Sequence, residues 1–303
     1  MTEKDESIAV VVLNWNGGAD TVECIRSLAG LRYRNYKIIL VDNGSTDESL
    51  EQVRQLNVAQ LEVIENGANL GYAEGNNRGI HAALAAGSDY ILLLNNDTIV
   101  DPDLCGCLIR AARENAAAGV FGARIYYMDR PDVIWFAGAR WNPVQLRFDY
   151  PGQGLHESEF RQWCMRARRQ GFECEMVADA RVWHKVGASF SGEESALRTY
   201  FSARNRLLWT ERNLPVTSHL RIVMQSLRRA WPRFVMVRAN TSGLPRQILW
   251  AVADFLRTIR RRRTDPREIA RRAGLRDYLL RRFGDCPTAI RALKGERDVG
   301  GKG

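Results

Sequence analysis

The sequence predicts an α/β protein with a mostly parallel sheet flanked by helices on both faces. Three observations carry that prediction. Short apolar runs alternate with helical patterns through the first 125 residues. Strand–helix alternation favours parallel strands joined by helical crossovers, which then cover both faces. The polar residues gather where the runs end, and ligands of open α/β sheets bind beyond the carboxyl ends of their strands.

The strands are read in order at "IAVVVLN", "YKIILVDN", "LEVIEN", "DYILLLNND" and "AGVFGARI". Between the first two, Val22, Ile25 and Leu28 share one helical face, as do Leu50, Val53 and Leu56 after the second. Ser45 with Glu48 three residues on reads as a capping box for that second helix. Asp101 as cap and Pro102 at the first position open the helix after "NND". From Tyr126 to Glu159 the periodicity is weak, so loops or irregular strands are expected. "FRQWCMRARRQG" reads as a helix stopped by Gly171, "FECEMVADARVWHKVGASF" as a strand and loop, and "YFSARNRLLWTERNL" as the start of a helical, basic region. Residues 244–283 read as two amphipathic helices split near Thr264-Asp265-Pro266. The expected organisation is a domain over 1–215, with halves 1–125 and 126–215, followed by a basic helical extension over 216–303.

Composition narrows the function. Net charge is +9, and the excess lies in the tail, where "RTIRRRRTDPREIARRAGLRDYLLRRFG" points to an anionic partner or to a solvated helix face. Trp231, Phe234, Leu249, Trp250 and Phe255 interleave with those arginines, which suits peripheral contact with an anionic membrane; packing back on the domain is the rival reading. Nucleic acid is set aside, because no base-stacking module or groove-reading motif is present. The charged start "MTEKDESIAV" is unlike a secretory leader, and no run approaches the ~20 apolar residues of a membrane span. A cytoplasmic chain, at most resting on the inner face of the membrane, is expected. Cys24, Cys105, Cys107, Cys164, Cys174 and Cys286 show no C-x-x-C pair, so they read as reduced thiols filling the core.

Motifs exclude several enzymes. The turn after the first strand is "NWNGGAD" rather than G-x-G-x-x-G, and neither a P-loop nor a G-x-S-x-G elbow occurs. What remains is a rim of strand endings: Asn14-Trp15-Asn16-Gly17, Asp42-Asn43-Gly44 and Asn95-Asn96-Asp97. One such ending is ordinary turn chemistry. Three on one edge suit a hard divalent cation holding a diphosphate, with helix N-termini offering N–H groups to its oxygens.

Taken together, "VVVLNWNG", "ILVDNGSTDES", "NLGYAEGNNRGI", "LLLNNDTIVDPD", "ADARVWHKVGAS" and "RNRLLWTERN" resemble a family 2 glycosyltransferase of the GT-A fold, near the rhamnosyltransferase-like group. The likeness spans about residues 8 to 215. It implies inverting transfer of a sugar from a nucleotide-diphosphate donor, a UDP- or dTDP-sugar with rhamnose a candidate, to a saccharide or lipid-linked acceptor. It also implies Mn²⁺ or Mg²⁺ as cofactor. By the resemblance, Asp97 and His184 are the metal ligands, and Asn95 and Asn96 complete a variant D-x-D. Asp42 holds the nucleoside, with Asn43 beside it. Asn14 and Asn16 line the pocket, while Asn69, Gly71, Asn76 and Asn77 form the loop closing on the nucleotide. An imidazole ligand leans the choice toward Mn²⁺.

The chain departs from the family before "RAR". Glu159-Phe160-Arg161-Gln162 stands where Glu-Asp-x-Asp is usual, so Phe160 occupies the base position. The acceptor-side segment is missing too. Either Glu159, or Glu157 in its place, serves as base with a shortened acceptor loop, or the chain is an impaired nucleotide-sugar-binding relative acting as a scaffold. Loss of a general base lowers rates by about 10²–10⁴-fold without touching the fold.

Overall fold

A computed structural model of the chain describes residues 6–142, 147–150, 152–156, 173–185, 196–230, 265–283, 287–291 and 293. The chain divides into two compact units, Met1–Asn142 with Arg147–Ser189 and Pro143–Leu146 with Phe190–Gly303. The expected boundary at residue 215 falls inside the second unit, between its first two helices.

The first unit opens with β1 (Ile8–Asn14), α1 (Gly18–Ala29), β2 (Tyr36–Asp42), α2 (Ser49–Arg54), β3 (Leu61–Glu65), α3 (Tyr72–Ala85) and β4 (Tyr90–Asn95). These strands form an all-parallel sheet in the order β3-β2-β1-β4. β1 shows why. Its even residues Ile8, Val10 and Val12 join Val22, Cys24, Ile25 and Leu28 of α1, whereas Ala9 and Val11 join Ala83 of α3. A strand buried on both faces reads as the continuous apolar run seen in the sequence. Gly79 lets α3 approach this closely, because a Cβ there would stand 2.3 Å from Val11 Cγ1.

The chain then turns through β5 (Thr98–Val100), α4 (Leu104–Glu114), β6 (Ala118–Tyr127), β7 (Ile134–Phe136), β8 (Arg140–Asn142), β9 (Arg147–Asp149) and β10 (Glu173–His184). A second sheet runs β5-β10-β6-β7, and β8 pairs with β9 as a small hairpin. "AGVFGARI" therefore does not extend the first sheet. As part of β6 it lies parallel to β10, and β10 is antiparallel to β5.

Two helix starts differ from expectation. Ser45 is not the cap of α2; its hydroxyl accepts from Asn14 and from the Asn16 N–H, while Asp47 accepts the Ser49 N–H at 3.2 Å. The α4 helix begins at Leu104 rather than Pro102. Asp101 instead closes a turn just before it, accepting from the Asp103 N–H at 2.8 Å. In both cases an Asx-type turn outcompetes the helix for the same carboxylate.

The second unit contains α5 (Ala196–Asn213), α6 (Val216–Ala230), α7 (Pro266–Leu279) and α8 (Thr288–Arg291). Asp265 caps α7 by accepting the Arg267 N–H, with Pro266 at the first position, as the Thr264-Asp265-Pro266 break implies. Ala196, Tyr200, Ala270 and Ile290 form its core. The helix expected at residues 160–171, the first of the pair in 244–283, and Trp231, Phe234, Leu249, Trp250 and Phe255 lie outside the described residues.

Candidate active site at the sheet switch point

Strand order reverses about β1: β2 and β3 lie on one side of it and β4 on the other. That makes the β1/β4 crevice the switch point where open α/β sheets bind ligands. Register then aligns the strand ends, with Asn14 opposite Asp42 and Leu13 opposite Asn95.

The floor of this crevice is a buried polar network. Asn14, fully buried, donates to Asp42 Oδ1 at 2.9 Å and to Ser49 at 2.9 Å. Its Oδ1 accepts from the Thr21 hydroxyl at 2.7 Å, and Thr21 accepts from Asn96 at 2.8 Å. Asp42 Oδ2 accepts the N–H groups of Gly44 and Ser45. Buried polar groups must be paired in this way or destabilise the fold. Gly17 seals the network: a Cβ there would lie 2.1 Å from Asn96 Nδ2 and 2.2 Å from Thr21 Oγ1. Asn16, at φ 52°, is exposed and accepts the Thr46 N–H.

Asn43 ties this floor to the loop before α3. Its amide donates to Asn69 Oδ1 and to the Gly71 carbonyl, and its oxygen accepts from Asn66. Asn76 and Asn77 turn to their own helix, donating to the Tyr72 carbonyl and to Glu74. Asn95 is exposed and accepts from the Tyr72 hydroxyl at 3.2 Å. The leading helix N–H groups expected to face phosphate are engaged internally, Gly18 by Asp47 and Gly71 by Asn69.

Asp97 and His184, 87 positions apart in sequence, meet here. β5 follows directly after Asp97 and pairs with the end of β10, so His184 stands opposite Thr98. Asp97 Oδ1 and His184 Nε2 are 3.0 Å apart, with side chains 6% and 11% exposed. Two donor atoms held about 2.1 Å from one ion at right angles stand about 3.0 Å apart, so the pair fits a divalent cation as well as a direct Asp–His⁺ contact. No group of three His, Cys, Asp or Glu gathers among the described residues, so an ion held by this pair would need further ligands from outside that set. His184 Nδ1 is buried without a hydrogen-bond partner, and the Trp135 ring lies 4.8 Å from the imidazole.

Sequence reasoning missed several contributors: Thr21, Ser49, Asp47, Trp135 and the pair Lys185–Asp20 at 2.5 Å. Asp20 raises the Lys185 pKa by hydrogen bonding, more than burial lowers it. Lys185 is anchored beside the Asp97–His184 pair through its N–H to the Asp97 carbonyl. Thr21 had a readable signal, seven residues after Asn14 at the start of a helix; Asp47 lies in a run of ordinary turn residues, and Trp135 in a three-residue strand. The candidate bases Glu157 and Glu159 lie outside the described residues.

A parallel sheet between helices, with a polar switch-point crevice and a mixed second sheet carrying an Asp–His pair, defines the GT-A class of nucleotide-sugar transferase fold. The mannosyltransferase PcManGT of Pyrobaculum calidifontis, solved with GDP-Man and Mn²⁺, shares this fold at a TM-score of 0.50 and 16% identity, over 91% of this chain and 88% of its own. Residues 7–175 match the family described as Glycosyl transferase family 2, and the chain belongs to that family. It is 33% identical over 129 residues to glycosyltransferase GlyG of Streptococcus pneumoniae, covering 42% of each chain. It is 29% identical over 148 residues to the N-acetylglucosaminyl-diphospho-decaprenol L-rhamnosyltransferase of Mycobacterium tuberculosis, covering 46% of this chain and 47% of the relative. The chain spans less than half the length of the curated relatives it matches.

Proposed function

We propose that the chain is a metal-dependent inverting glycosyltransferase. It moves a sugar from a UDP- or dTDP-sugar, with rhamnose the leading candidate, to a saccharide or lipid-linked acceptor during cell-surface polysaccharide synthesis. The observation that carries this reading is the buried Asp97–His184 pair beside the switch-point crevice. Asp97 and His184 would hold the divalent cation, Mn²⁺ favoured by the imidazole. The chemistry supplied there when the ion is bound is Lewis-acid neutralisation of the departing diphosphate.

The chain's own residues do the rest. The Asn14–Asp42–Thr21–Asn96 network fixes the floor so that the pocket needs little reorganisation on binding. Asn43, Asn69 and Gly71 shape the loop beside the nucleoside. Glu159, or Glu157 in its stead, takes the proton of the acceptor hydroxyl. The protein works in the cytoplasm against the inner face of the membrane, with the basic extension meeting anionic lipid. Among the described residues no helix is long and apolar enough to cross a membrane, which is compatible with a peripheral mode.

A thermal-shift panel of UDP-, dTDP- and GDP-sugars, with and without Mn²⁺, tests this. A bound donor at a hundredfold excess over its dissociation constant should stabilise the chain by about 2.7 kcal/mol. Asp97→Asn and His184→Ala should each remove the Mn²⁺-dependent part. If no nucleotide sugar stabilises the wild-type chain in Mn²⁺, the donor reading is wrong. Glu159→Gln then separates enzyme from scaffold: lost turnover with intact binding supports the enzyme, whereas an inactive wild-type chain that still binds donor supports the scaffold.

A further inference from the structure

We propose that the exposed apolar face of α6 docks the chain onto an anionic lipid surface. This deepens the membrane contact proposed above by assigning it to one helix, and it stands independently of the donor pocket.

Val216, Leu220 and Met224 recur every four residues and are 72%, 54% and 51% exposed. Successive four-residue steps drift only about 40° around a helix, so the three form one stripe. Val223 borders it and Leu227 falls in line with it further along the helix, and both are half-buried. Ile222, on the other side, is fully buried. Packing within the unit thus uses one face of α6, and it accounts for only one apolar stripe. The second faces water.

Charge selects the occupant. The α6 sequence, VTSHLRIVMQSLRRA, contains Arg221, Arg228 and Arg229 and no carboxylate. Arg221 and Arg229 are exposed. Arg221 flanks the stripe, about 60° around the helix from Met224, and an exposed arginine beside an open apolar stripe on a helix without carboxylates suits anionic headgroups over a neutral or basic surface.

Size argues in the same direction. From Val216 to Met224 the stripe is about 12 Å long, at 1.5 Å per residue. A stable protein interface needs about 1,000 Å² or more, which a stripe one helix wide and 12 Å long does not offer. Shallow insertion into the headgroup boundary requires only a few apolar side chains together with electrostatic attraction.

The test is co-sedimentation of the full chain with phosphatidylcholine vesicles, with and without phosphatidylglycerol. Binding should require phosphatidylglycerol and weaken as salt rises. The double variant Leu220→Glu, Met224→Glu should lower the partition coefficient about tenfold or more, by losing apolar burial and adding like charge. Val120→Glu, at an equally exposed apolar residue of the first unit, should leave it unchanged. The double variant should keep its nucleotide-sugar thermal shift, so that a failed donor pocket is not mistaken for a failed membrane face. Absence of wild-type binding to phosphatidylglycerol vesicles overturns the proposal, as does a double variant that binds like wild type. If the wild-type chain self-associates and the double variant does not, with neither binding vesicles, the occupant is a second copy and the proposal fails.

Discussion

Gly17→Ala probes the crevice floor with the smallest possible perturbation. The added Cβ would stand 2.1 Å from Asn96 Nδ2, 2.2 Å from Thr21 Oγ1 and 2.7 Å from Asn14 Oδ1. Those three atoms share two short hydrogen bonds, Asn96 to Thr21 at 2.8 Å and Thr21 to Asn14 at 2.7 Å, and a longer one from Asn96 to Asn14 at 3.5 Å. Overpacking a tight site costs about 1–3 kcal/mol, and each hydrogen bond lost in burial adds about 1 kcal/mol. The expected destabilisation is therefore about 2–5 kcal/mol. Because the chain has two compact units, a global melt would blur the effect. Native-state hydrogen exchange at the buried β1 amides Val10, Val11 and Val12 reads the first unit alone. At tenfold per 1.4 kcal/mol, exchange there should accelerate by about 30-fold to several thousand-fold. Gly106→Ala is the control: it lies inside α4 with nothing within 4 Å of the new Cβ, so it should slow exchange through better helix propensity, by about 0.5–1 kcal/mol. If Gly17→Ala left β1 protection unchanged while Gly106→Ala raised it, the network would not be the tight floor described.

Two further outcomes follow from titratable groups. Glu211 is held down at about 2, first by the Arg281 guanidinium and then by the Tyr278 hydroxyl, against an ordinary 4.5. A lowered carboxylate stabilises the fold above its unfolded pKa and loses that contribution as pH falls toward 2. Thermal melts between pH 5 and 2.5 should show a steeper loss for wild type than for Glu211→Gln; equal slopes would refute the assignment. Burial pushes the Cys24 and Cys105 thiols up to about 12, so neither should react with a thiol reagent at pH 8 until the chain unfolds. Mass-spectrometric mapping of alkylation, native against denatured, checks this; native labelling at either position contradicts the core placement.

Much of the first sheet was legible because its strands are buried on both faces. "IAVVVLN" and "YKIILVDN" are uninterrupted apolar runs, and their endings Asn14 and Asp42 fall opposite one another in register. The second sheet was harder. β7, β8 and β9 are three residues each, too short for a period to emerge. β6 looked like a fifth strand of the first sheet because local pattern records a strand's existence and not its partner. The helix caps misled for a related reason. In "DNGSTDES" every residue but Glu48 can cap or turn, and only the tertiary contact with Asn14 and Asn16 assigns Ser45 to the rim. Roles within the rim were legible by type rather than by orientation. Asn14 was expected to line the pocket and Asp42 to hold the nucleoside; both are buried and bonded to their neighbours.

The meeting of Asp97 and His184 depends on a feature with no sequence signature at all. Along β10, Val177 pairs with Ala123 and Arg181 with Arg124, so the three residues Ala178, Asp179 and Ala180 are inserted against a partner that advances by one. Side chains alternate faces along a strand, and Val177 and Val182, five residues apart, would point to opposite faces of a regular one. Both nonetheless pack in the same hydrophobic cluster. The insertion has reversed the alternation, and everything beyond it inherits the reversed parity. His184, two residues after Val182, therefore continues on the cluster's side and arrives at the edge where Asp97 leaves β4. Bulges that re-aim a side chain beside an active site are a recurrent device of β structure. Here the irregular stretch brings a histidine to the carboxylate, so the candidate metal pair is set by backbone register as much as by the residues that compose it.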